Sequence, residues 1–360
     1  MKNIIKTIIV MFSSISLFAS ANAGELSVSG TAKATYNIHS GKSNAGKGLG
    51  ITNELNFTAA GELDNGYTWS YSMELDPNAV SAGTTAAAQA GVENDDTKMT
   101  LTTPYGTVGV FISEGGLDVE DAASQSVYGR PTDIGDPSGT TDNFTIDSYN
   151  NVQYHTPADL LPFGVTAKIA YATNTADVSA ASSGNNTGAV LTGSSTQKGA
   201  TATEMQVKAA PLDGLTIGAS YFEFGGDKGE ANKDQLAESG AYYATYATGP
   251  VSIGYSQAFR AEHLDQDTGD TTSDAAESYD QVNYSIAFAA TDDLSVSYER
   301  ETSEVSKLDD TTVEQESSSV QLAYTMGGMT IAVAHSSHDN NAYVTGDNVD
   351  QTLLAVTMAF

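Results

Sequence analysis

Acidic side chains are the residues of this chain whose number and spacing could support chemistry or ion binding. Asp and Glu total 45 against 15 Lys and Arg, and cysteine is absent. This balance excludes a nucleic-acid-binding protein, because such a protein needs a basic surface. The absence of thiols excludes disulfides and thiolate catalysis. The acids concentrate in segments rich in Gly, Ser, Thr and Asn, so we expect a folded scaffold that carries acidic loops.

The longest acidic segment runs from residue 114 to residue 147 and contains one basic residue, Arg130. Its acids are Glu114, Asp118, Glu120, Asp121, Asp133, Asp136, Asp142 and Asp147. A connection of this length without regular structure is usually functional or disordered. We therefore expect the segment to be the main candidate site of the chain.

A second acidic segment, 261–277, contains no Lys or Arg and superficially suggests a calcium loop. Counted from Asp265, an EF-hand requires an acid at the fifth position, Gly at the sixth and Glu at the twelfth. The chain has Gly269, Asp270 and Ala276 there. We expect no cofactor, and two alternatives stay open for the acidic loops: loose binding of divalent cations, or a solvated acidic surface.

Histidines predict neither a metal site nor catalysis. His335 and His338 have H-x-x-H spacing, but residues three apart on a strand face opposite sides. No nucleophile and base can be paired from spacing alone. The sequence therefore predicts that the protein is not an enzyme.

The segments that position these loops alternate between apolar and other residues with a period of two. Counted back from Phe360, the alternate residues Met358, Val356 and Leu354 are apolar. The same period runs through 67–75, 97–103, 251–260 and 281–288. Such segments are strands with one apolar and one polar face, and about ten residues is the length that a tilted strand needs to cross a bilayer.

Turn signals and polar stretches give the number of strands. Seven short turns are centred on 64–66, 104–106, 157–164, 211–214, 249–250, 291–293 and 326–328. Eight longer polar stretches cover 39–49, 76–95, 114–147, 174–202, 225–239, 261–277, 306–315 and 338–348. Seven turns and eight loops connect sixteen strands, which predicts an all-β, transmembrane, antiparallel β-barrel. The alternative is a soluble sandwich, in which the apolar faces would form a dry core.

Two further patterns favour the barrel. Aromatic residues lie beside the short turns, where an interfacial girdle belongs: Tyr67, Tyr105, Phe163, Phe288, Tyr324 and Phe360. The segment 1–23 has a basic start with Lys2 and Lys6, an apolar centre, and an Ala21-Asn22-Ala23 ending. It predicts a cleaved export signal, followed by a single barrel over 24–360.

Strand parity assigns side chains to the lumen. The charged residues expected on the lumen wall are Lys33, Glu54, Glu74, Lys98, Lys168, Glu204, Lys208, Arg260 and Glu299. His155 also takes this parity. Arg300 takes the opposite, lipid-facing parity, for which a bulge or the extracellular end of the strand is the simplest explanation.

The ensemble of the 21–23 ending, a first strand from Gly24 to Gly30, sixteen segments and a terminal Phe360 resembles the trimeric, sixteen-stranded general porins of Gram-negative bacteria. The resemblance covers the whole predicted mature chain. It implies an outer-membrane channel for passive diffusion of small hydrophilic solutes, surrounded by lipid and lipopolysaccharide. It also implies that 114–147 folds into the barrel as the constriction, that 76–95 latches onto a neighbouring subunit, and that the barrel-assembly machinery recognises Phe360.

One departure from this family bears on ion preference. Its members commonly place several arginines on the wall opposite the acidic loop, whereas this chain has only Arg130, Arg260 and Arg300. Lys33 and Lys98 are the expected basic residues of that wall. We therefore expect a weak transverse field and a preference for cations. Two alternatives stay open: a substrate-selective channel, and a mainly structural or surface-receptor barrel.

Overall fold

The computed structural model describes residues 24–41, 45–77, 92–134, 142–173, 175, 201–225, 233–262, 264–265 and 275–360. The predicted signal 1–23 lies outside these residues, and so does most of the predicted latching loop 76–95. None of the helices within the described residues is long and apolar enough to cross a membrane.

Strands dominate the described chain. They are β1 (Glu25–Gly41), β2 (Gly46–Glu62), β3 (Thr68–Pro77), β4 (Val92–Thr103), β5 (Gly106–Ile112), β6 (Asn151–His155), β7 (Thr166–Ala172), β8 (Thr201–Leu212), β9 (Leu215–Gly225), β10 (Lys233–Gln235), β11 (Glu238–Thr248), β12 (Val251–Ala261), β13 (Leu264–Asp265), β14 (Ala276–Ala289), β15 (Leu294–Lys307), β16 (Thr312–Met326), β17 (Met329–Asp339) and β18 (Val349–Ala359). Short 3₁₀ turns occur at Glu120–Ala123, Pro131–Asp133, Ile146–Ser148, Pro162–Gly164 and Asn341–Tyr343.

Sixteen of these strands form one closed antiparallel barrel, which confirms the predicted fold class and strand number. Each barrel strand pairs with the next one along the chain, and β1 pairs with β18. The terminal residue extends this closure, since the backbone N–H of Phe360 donates to Gly30 O at 3.0 Å and that of Gly30 donates to Phe360 O at 2.8 Å. β10 and β13 form a separate two-stranded sheet between two of the longer connections.

The two faces of the barrel differ in the way that the alternation predicts. On β15, Ser297, Glu299 and Glu301 are buried, whereas the alternate residues Val296 and Tyr298 are exposed. Outward side chains of an isolated barrel have nothing to cover them, so the exposed apolar set is the outer face. The inner face is mostly polar. This is the arrangement that water inside and hydrocarbon outside require.

Short turns close one end of the barrel. At Gly214, between β8 and β9, φ is +76° and a Cβ would lie 2.2 Å from Ala247 O, so only glycine fits. The connection between β4 and β5 is a two-residue turn at 104–105. These tight connections set the register of each hairpin.

Two predicted long loops are wrong. The strands flanking 39–49 run to Gly41 and from Gly46, and those flanking 306–315 run to Lys307 and from Thr312. The second connection is a tight turn in which Asp309 accepts hydrogen bonds from the backbone and hydroxyl of Thr311. Polar composition alone did not separate a loop from a strand that continues beyond the apolar band.

Candidate functional site: the acidic segment on the inner wall

The segment between β5 and β6, residues 113–150, contacts the inner face of the barrel over many strands. Its first anchor is Glu204 of β8, which is buried and accepts the backbone N–H of Leu117 at 3.1 Å and of Ile146 at 2.9 Å. Gln206, on the same face, donates to Leu117 O at 2.6 Å. One carboxylate therefore holds the two ends of the segment together.

Two glutamates of β15 form the second anchor. Glu299 accepts the hydroxyl of Ser124 at 2.6 Å and also that of Ser126. Glu301 accepts the backbone N–H of Thr132 at 3.2 Å and its hydroxyl at 2.8 Å. Both glutamates are buried. Hydrogen bonds to carboxylates are stronger than neutral ones, so these contacts fix the middle of the segment.

Small polar side chains of the wall bind the backbone between the anchors. The N–H of Gln125 donates to Ser285 Oγ at 3.1 Å, and the N–H of Val127 donates to Ser297 Oγ at 3.0 Å. Gln321 of β16 accepts from Tyr128 N at 2.9 Å. These hydrogen bonds pair several backbone groups of the segment with the inner face from β8 to β16.

Apolar contacts on this nominally polar face were not anticipated from the sequence. Buried residues of the segment pack on small residues of the wall in three clusters. The first contains Leu117, Ile146, Ala170, Ala172, Ala202 and Phe222; the second Ile134, Ala323, Ala332, Ala334, Leu353 and Ala355; the third Val119, Ala123, Ala241, Tyr243 and Ala258. Each large side chain that is fully buried in this way contributes roughly 1.5–3 kcal/mol. The inward alanines of β7, β8 and β17 were the sequence signal for this docking surface.

Gly254 of β12 permits the closest approach of the segment to the wall. A Cβ at this position would lie 1.7 Å from Ala123 O. The hydroxyl of Ser285, on the neighbouring strand, donates to the same carbonyl at 2.6 Å. Glycine is needed here because the two backbones meet without space for a side chain.

Arg130 is the centre of the acidic cluster. It forms an ion pair with Asp121, a two-point contact with Asp133 at 3.0 and 3.1 Å, and longer contacts with Asp142 at 3.3 Å and Glu301 at 3.6 Å. Its side chain is 8% exposed, whereas those of Asp121, Asp133 and Asp142 are 55%, 52% and 58% exposed. One buried guanidinium therefore holds three carboxylates that are also open to solvent.

Crowding of these acids changes their proton affinity. Burial, together with the negative charges of Asp118 and Asp121, raises the pKa of Glu120 well above its ordinary value. Burial among the surrounding protein atoms raises the pKa of Asp121 to about 7, and Arg130 offsets part of this rise, although much of the side-chain surface of Asp121 is exposed. Burial alone would lower the pKa of Arg130, but Glu301 and Asp121 raise it overall. As the pH rises through neutrality, the cluster therefore loses protons and becomes more negative.

Lys33 and Lys98 were expected on a wall opposite the acidic segment. This expectation is wrong, because both lysines lie beside the segment. Lys98 forms an ion pair with Glu114 at the start of the segment. The Lys33 ammonium lies 5.9 Å from the centre of the Tyr128 ring. Both lysines face inward, as strand parity predicts, because their Cα partners Ser72 and Thr357 lie on the inner face.

Arg260 also faces inward but binds the segment. Its guanidinium lies 3.9 Å from the centre of the Phe144 ring, donates to Asp142 O at 2.6 Å and pairs with Glu262 at 2.7 Å. Glu204 and Glu299 were expected as lumen-wall residues, yet the segment covers both. Parity placed these residues on the correct face, but it carries no information on what covers them.

The other predicted site residues are distributed around the same face. Asp118 accepts from Ser220 Oγ at 3.0 Å and from Asn143 Nδ2 at 3.2 Å. Glu54 is within 3.5 Å of Thr31 Oγ1. Register also places Glu74, Lys168 and Lys208 on the inner face, by pairing them with Asn56, Gln206 and Gly218. Asp136 lies outside the described residues.

Arg300 lies on the outer face, and the strand has no bulge there. The pairing of β15 with β16 continues through Arg300↔Ser318 without a register shift, and Arg300 forms an ion pair with Glu316 at 2.7 Å. The pair lies next to the apolar stretch that ends at Tyr298 and Val320. Charge pairing, rather than a bulge, accounts for an arginine at this position.

As predicted, the two histidines face opposite sides of the sheet. His335 is on the outer face beside Thr352, and His338 is buried on the inner face beside Ser317. Among the described residues, no three His, Asp or Glu side chains come together as metal ligands.

Comparison with known proteins identifies the family. Residues 7–360 match the model of the Gram-negative porins. The chain belongs to the Gram-negative porins. It is therefore an outer-membrane porin of the β-barrel type, from a family of channels rather than enzymes. No curated protein sequence matches it.

Solved porin structures share the fold. OmpF of Salmonella typhi, in complex with daunomycin, superposes with a TM-score of 0.64 at 12% identity, over 94% of this porin and 98% of OmpF. A loop L8 deletion mutant of OmpT, an outer membrane protein of Vibrio cholerae, gives 0.63 at 11% identity, over 94% of this porin and 100% of that chain. A porin refined at 1.8 Å gives 0.61 at 16% identity, over 93% and 100%. At these identities the likeness concerns the fold alone.

Proposed function

We propose that this porin is a passive, water-filled channel for small hydrophilic solutes and that it prefers cations. The observation that carries the proposal is the cluster of Asp121, Asp133 and Asp142 on the acidic segment, each about half exposed around the single buried Arg130. Three solvated carboxylates against one guanidinium leave a net negative charge inside the barrel. Fixed charge of one sign raises the local concentration of counter-ions.

The same segment is the proposed constriction of the channel. Its contacts extend along the inner face from β7 to β18, whereas β2 and β3 carry inward residues that are partly or fully exposed. We propose that solutes pass between the segment and the wall of β2 and β3, which Lys33 of β1 and Lys98 of β4 flank. Glu54 and Glu74 belong to this wall, and the charges of Lys33 and Lys98 beside it offset theirs.

Reversal potentials of the purified channel in a planar bilayer, under a gradient of potassium chloride, test the ion preference. We expect the sign of the reversal potential to show a preference for potassium over chloride. The triple variant Asp121→Asn, Asp133→Asn and Asp142→Asn should bring the reversal potential closer to zero. Asp292→Asn, in the exposed turn between β14 and β15, is the matched control and should leave it unchanged. A chloride preference in the unmodified channel would refute the electrostatic part, and a closed barrel without conductance would favour the surface-receptor alternative.

The proposed function also includes how the channel reaches the outer membrane and assembles there. We propose a homotrimer, with 76–95 reaching over the neighbouring subunit. We also propose cleavage of 1–23 after export, recognition of Phe360 by the barrel-assembly machinery, and contact of the loops with lipopolysaccharide. Phe360 is 70% exposed at the end of β18, where another protein can reach it. Single-channel conductance in steps of three, and sedimentation of the detergent complex, test the trimer.

A further inference from the structure

A group of basic side chains on β6, β7 and β8 is not explained by a cation-preferring channel. Lys168 of β7 pairs across the sheet with His155 of β6 and with Gln206 of β8. Lys208 lies two residues beyond Gln206 on the same face of β8. Diagonal neighbours of this kind have Cα atoms about 7–8 Å apart. Two lysines and a histidine therefore lie together on the inner face, near the short-turn end of the barrel.

Like charges at neighbouring positions of a sheet are destabilising unless something compensates them. Within the described residues, neither lysine forms an ion pair with an acid. Glu204 is the nearest acid along β8, but its carboxylate accepts the backbone N–H groups of Leu117 and Ile146 and is buried behind the acidic segment. Both lysines are partly exposed to the lumen.

The surroundings hold these basic groups in place. Lys208, Gly218 and Tyr243 are Cα partners in one row across β8, β9 and β11. The Lys208 ammonium lies 5.9 Å from the centre of the Tyr243 ring. A Cβ on Gly218 would lie 2.5 Å from Tyr243 Cε1 and 3.1 Å from Lys208 Cγ, so the glycine leaves room for the lysine to lie beside the ring.

His155 is fixed in a similar way. Its Nε2 is 2.7 Å from Gln153 Oε1, and its ring is 6.0 Å from the ring of Phe111. The Nε2–H of His155 is therefore already used by the Gln153 oxygen, and the donors available to a ligand are the two ammonium groups. Two ammonium groups on adjacent strands, without a protein carboxylate between them, match the donors that a phosphate or carboxylate group requires.

We propose that Lys168 and Lys208, with His155 beside them, bind a small polyvalent anion bearing phosphate or carboxylate groups. The site is separate from the acidic cluster around Arg130, whose contact with the wall is Glu301 of β15. It rests on the proposed function in one respect only, since the anion reaches the site through the open lumen. An acidic constriction and a basic site at the short-turn end would let the same channel retain an anionic solute while it conducts cations.

Inorganic tripolyphosphate is the probe for this site. Its affinity for the detergent-purified protein is measured by titration calorimetry, and its block of the potassium chloride current is measured in a planar bilayer at constant ionic strength. One unit-charge contact in hydrated surroundings contributes roughly 1 kcal/mol, or about fivefold in affinity. We therefore expect Lys168→Gln and Lys208→Gln each to weaken binding about fivefold and the double variant about 25-fold.

Two controls separate a local site from general charge. The double variant Lys168→Arg and Lys208→Arg keeps both charges and should keep binding within about twofold of the unmodified protein. Lys47→Gln removes one charge at the start of β2, away from β6 to β8, and should leave binding unchanged. Equal affinity of the double glutamine variant and the unmodified protein, or an equal loss in Lys47→Gln, would overturn the proposal. Binding in calorimetry that depends on Lys168 and Lys208, together with no conductance in the bilayer, would support the site and refute the proposed function instead.

Discussion

Replacing Arg130 by Gln tests whether one side chain keeps the acidic segment on the wall. Arg130 joins Asp121, Asp133 and Asp142 of the segment to Glu301 of β15. Removing one partner of a buried ion pair typically costs about 3–5 kcal/mol, because the remaining charge stays buried without compensation. Here three of the four carboxylates are more than half exposed and can rehydrate. The cost therefore concentrates on Glu301, and we expect the lower end of that range.

About 3 kcal/mol corresponds to a factor of roughly 10² in the equilibrium between docked and released segment. Hydrogen exchange of the Leu117 and Thr132 amides, which donate to Glu204 and Glu301, measures this equilibrium directly. Exchange at both amides should accelerate by about that factor. Single-channel current should become noisier as the segment moves in the lumen.

Arg300→Gln is the matched control. Arg300 has one carboxylate partner, Glu316, on the outer face, and both side chains are well exposed. An exposed ion pair contributes only about 0–1 kcal/mol, and this one does not touch the segment. Exchange in Arg300→Gln should match the unmodified protein. If Arg130→Gln leaves the Thr132 amide as protected as before, Arg130 does not hold the segment and the reasoning fails.

Two further predictions concern the same segment. Gly254→Val should displace the segment, because even a Cβ would lie 1.7 Å from Ala123 O. Gly48→Val on β2 should be tolerated, because nothing lies within 4 Å of a Cβ at that position. Crystal structures of the two variants, or a single-channel conductance altered only in Gly254→Val, would show the difference. Cation preference should rise between pH 6 and pH 8, because the pKa of Asp121 is about 7 and deprotonation adds negative charge to the lumen, and Asp121→Asn should flatten this rise in reversal-potential measurements. Since the pKa of Asp121 is raised on folding, deprotonation also weakens the docked state as pH rises through 7, so exchange of the segment should be faster at pH 8 than at pH 6 once corrected for the intrinsic rate.

The barrel itself was predictable because its rules are local. Period two sets the two faces of a strand, and turn residues such as Gly214 set its end. Strand number, closure and the inward parity of residues such as Lys33 and Lys208 followed from these rules. The lengths of the connections after β1 and β15 did not follow, because a polar strand beyond the apolar band has the composition of a loop.

The contacts of the acidic segment were beyond the reach of pattern alone. Its length and charge identified it, yet the position of its backbone depends on residues about 100 to 190 positions away, such as Ser220 and Gln321. One usable signal was present. Alanine recurs at inward positions, including Ala332 and Ala334 on β17, where a lumen exposed to water would favour polar residues.

The carboxylates of the inner face divide into two groups by what they contact. Glu204 and Glu301 are buried, accept N–H and O–H groups of the segment, and so hold it to the wall. Asp121, Asp133 and Asp142 of the segment face water, and so does Glu54 of β2. A count of inward acids therefore overstates the charge that a permeating ion meets. The proposed ion preference depends on the second group, and its three aspartates are in place only because the first group holds the segment.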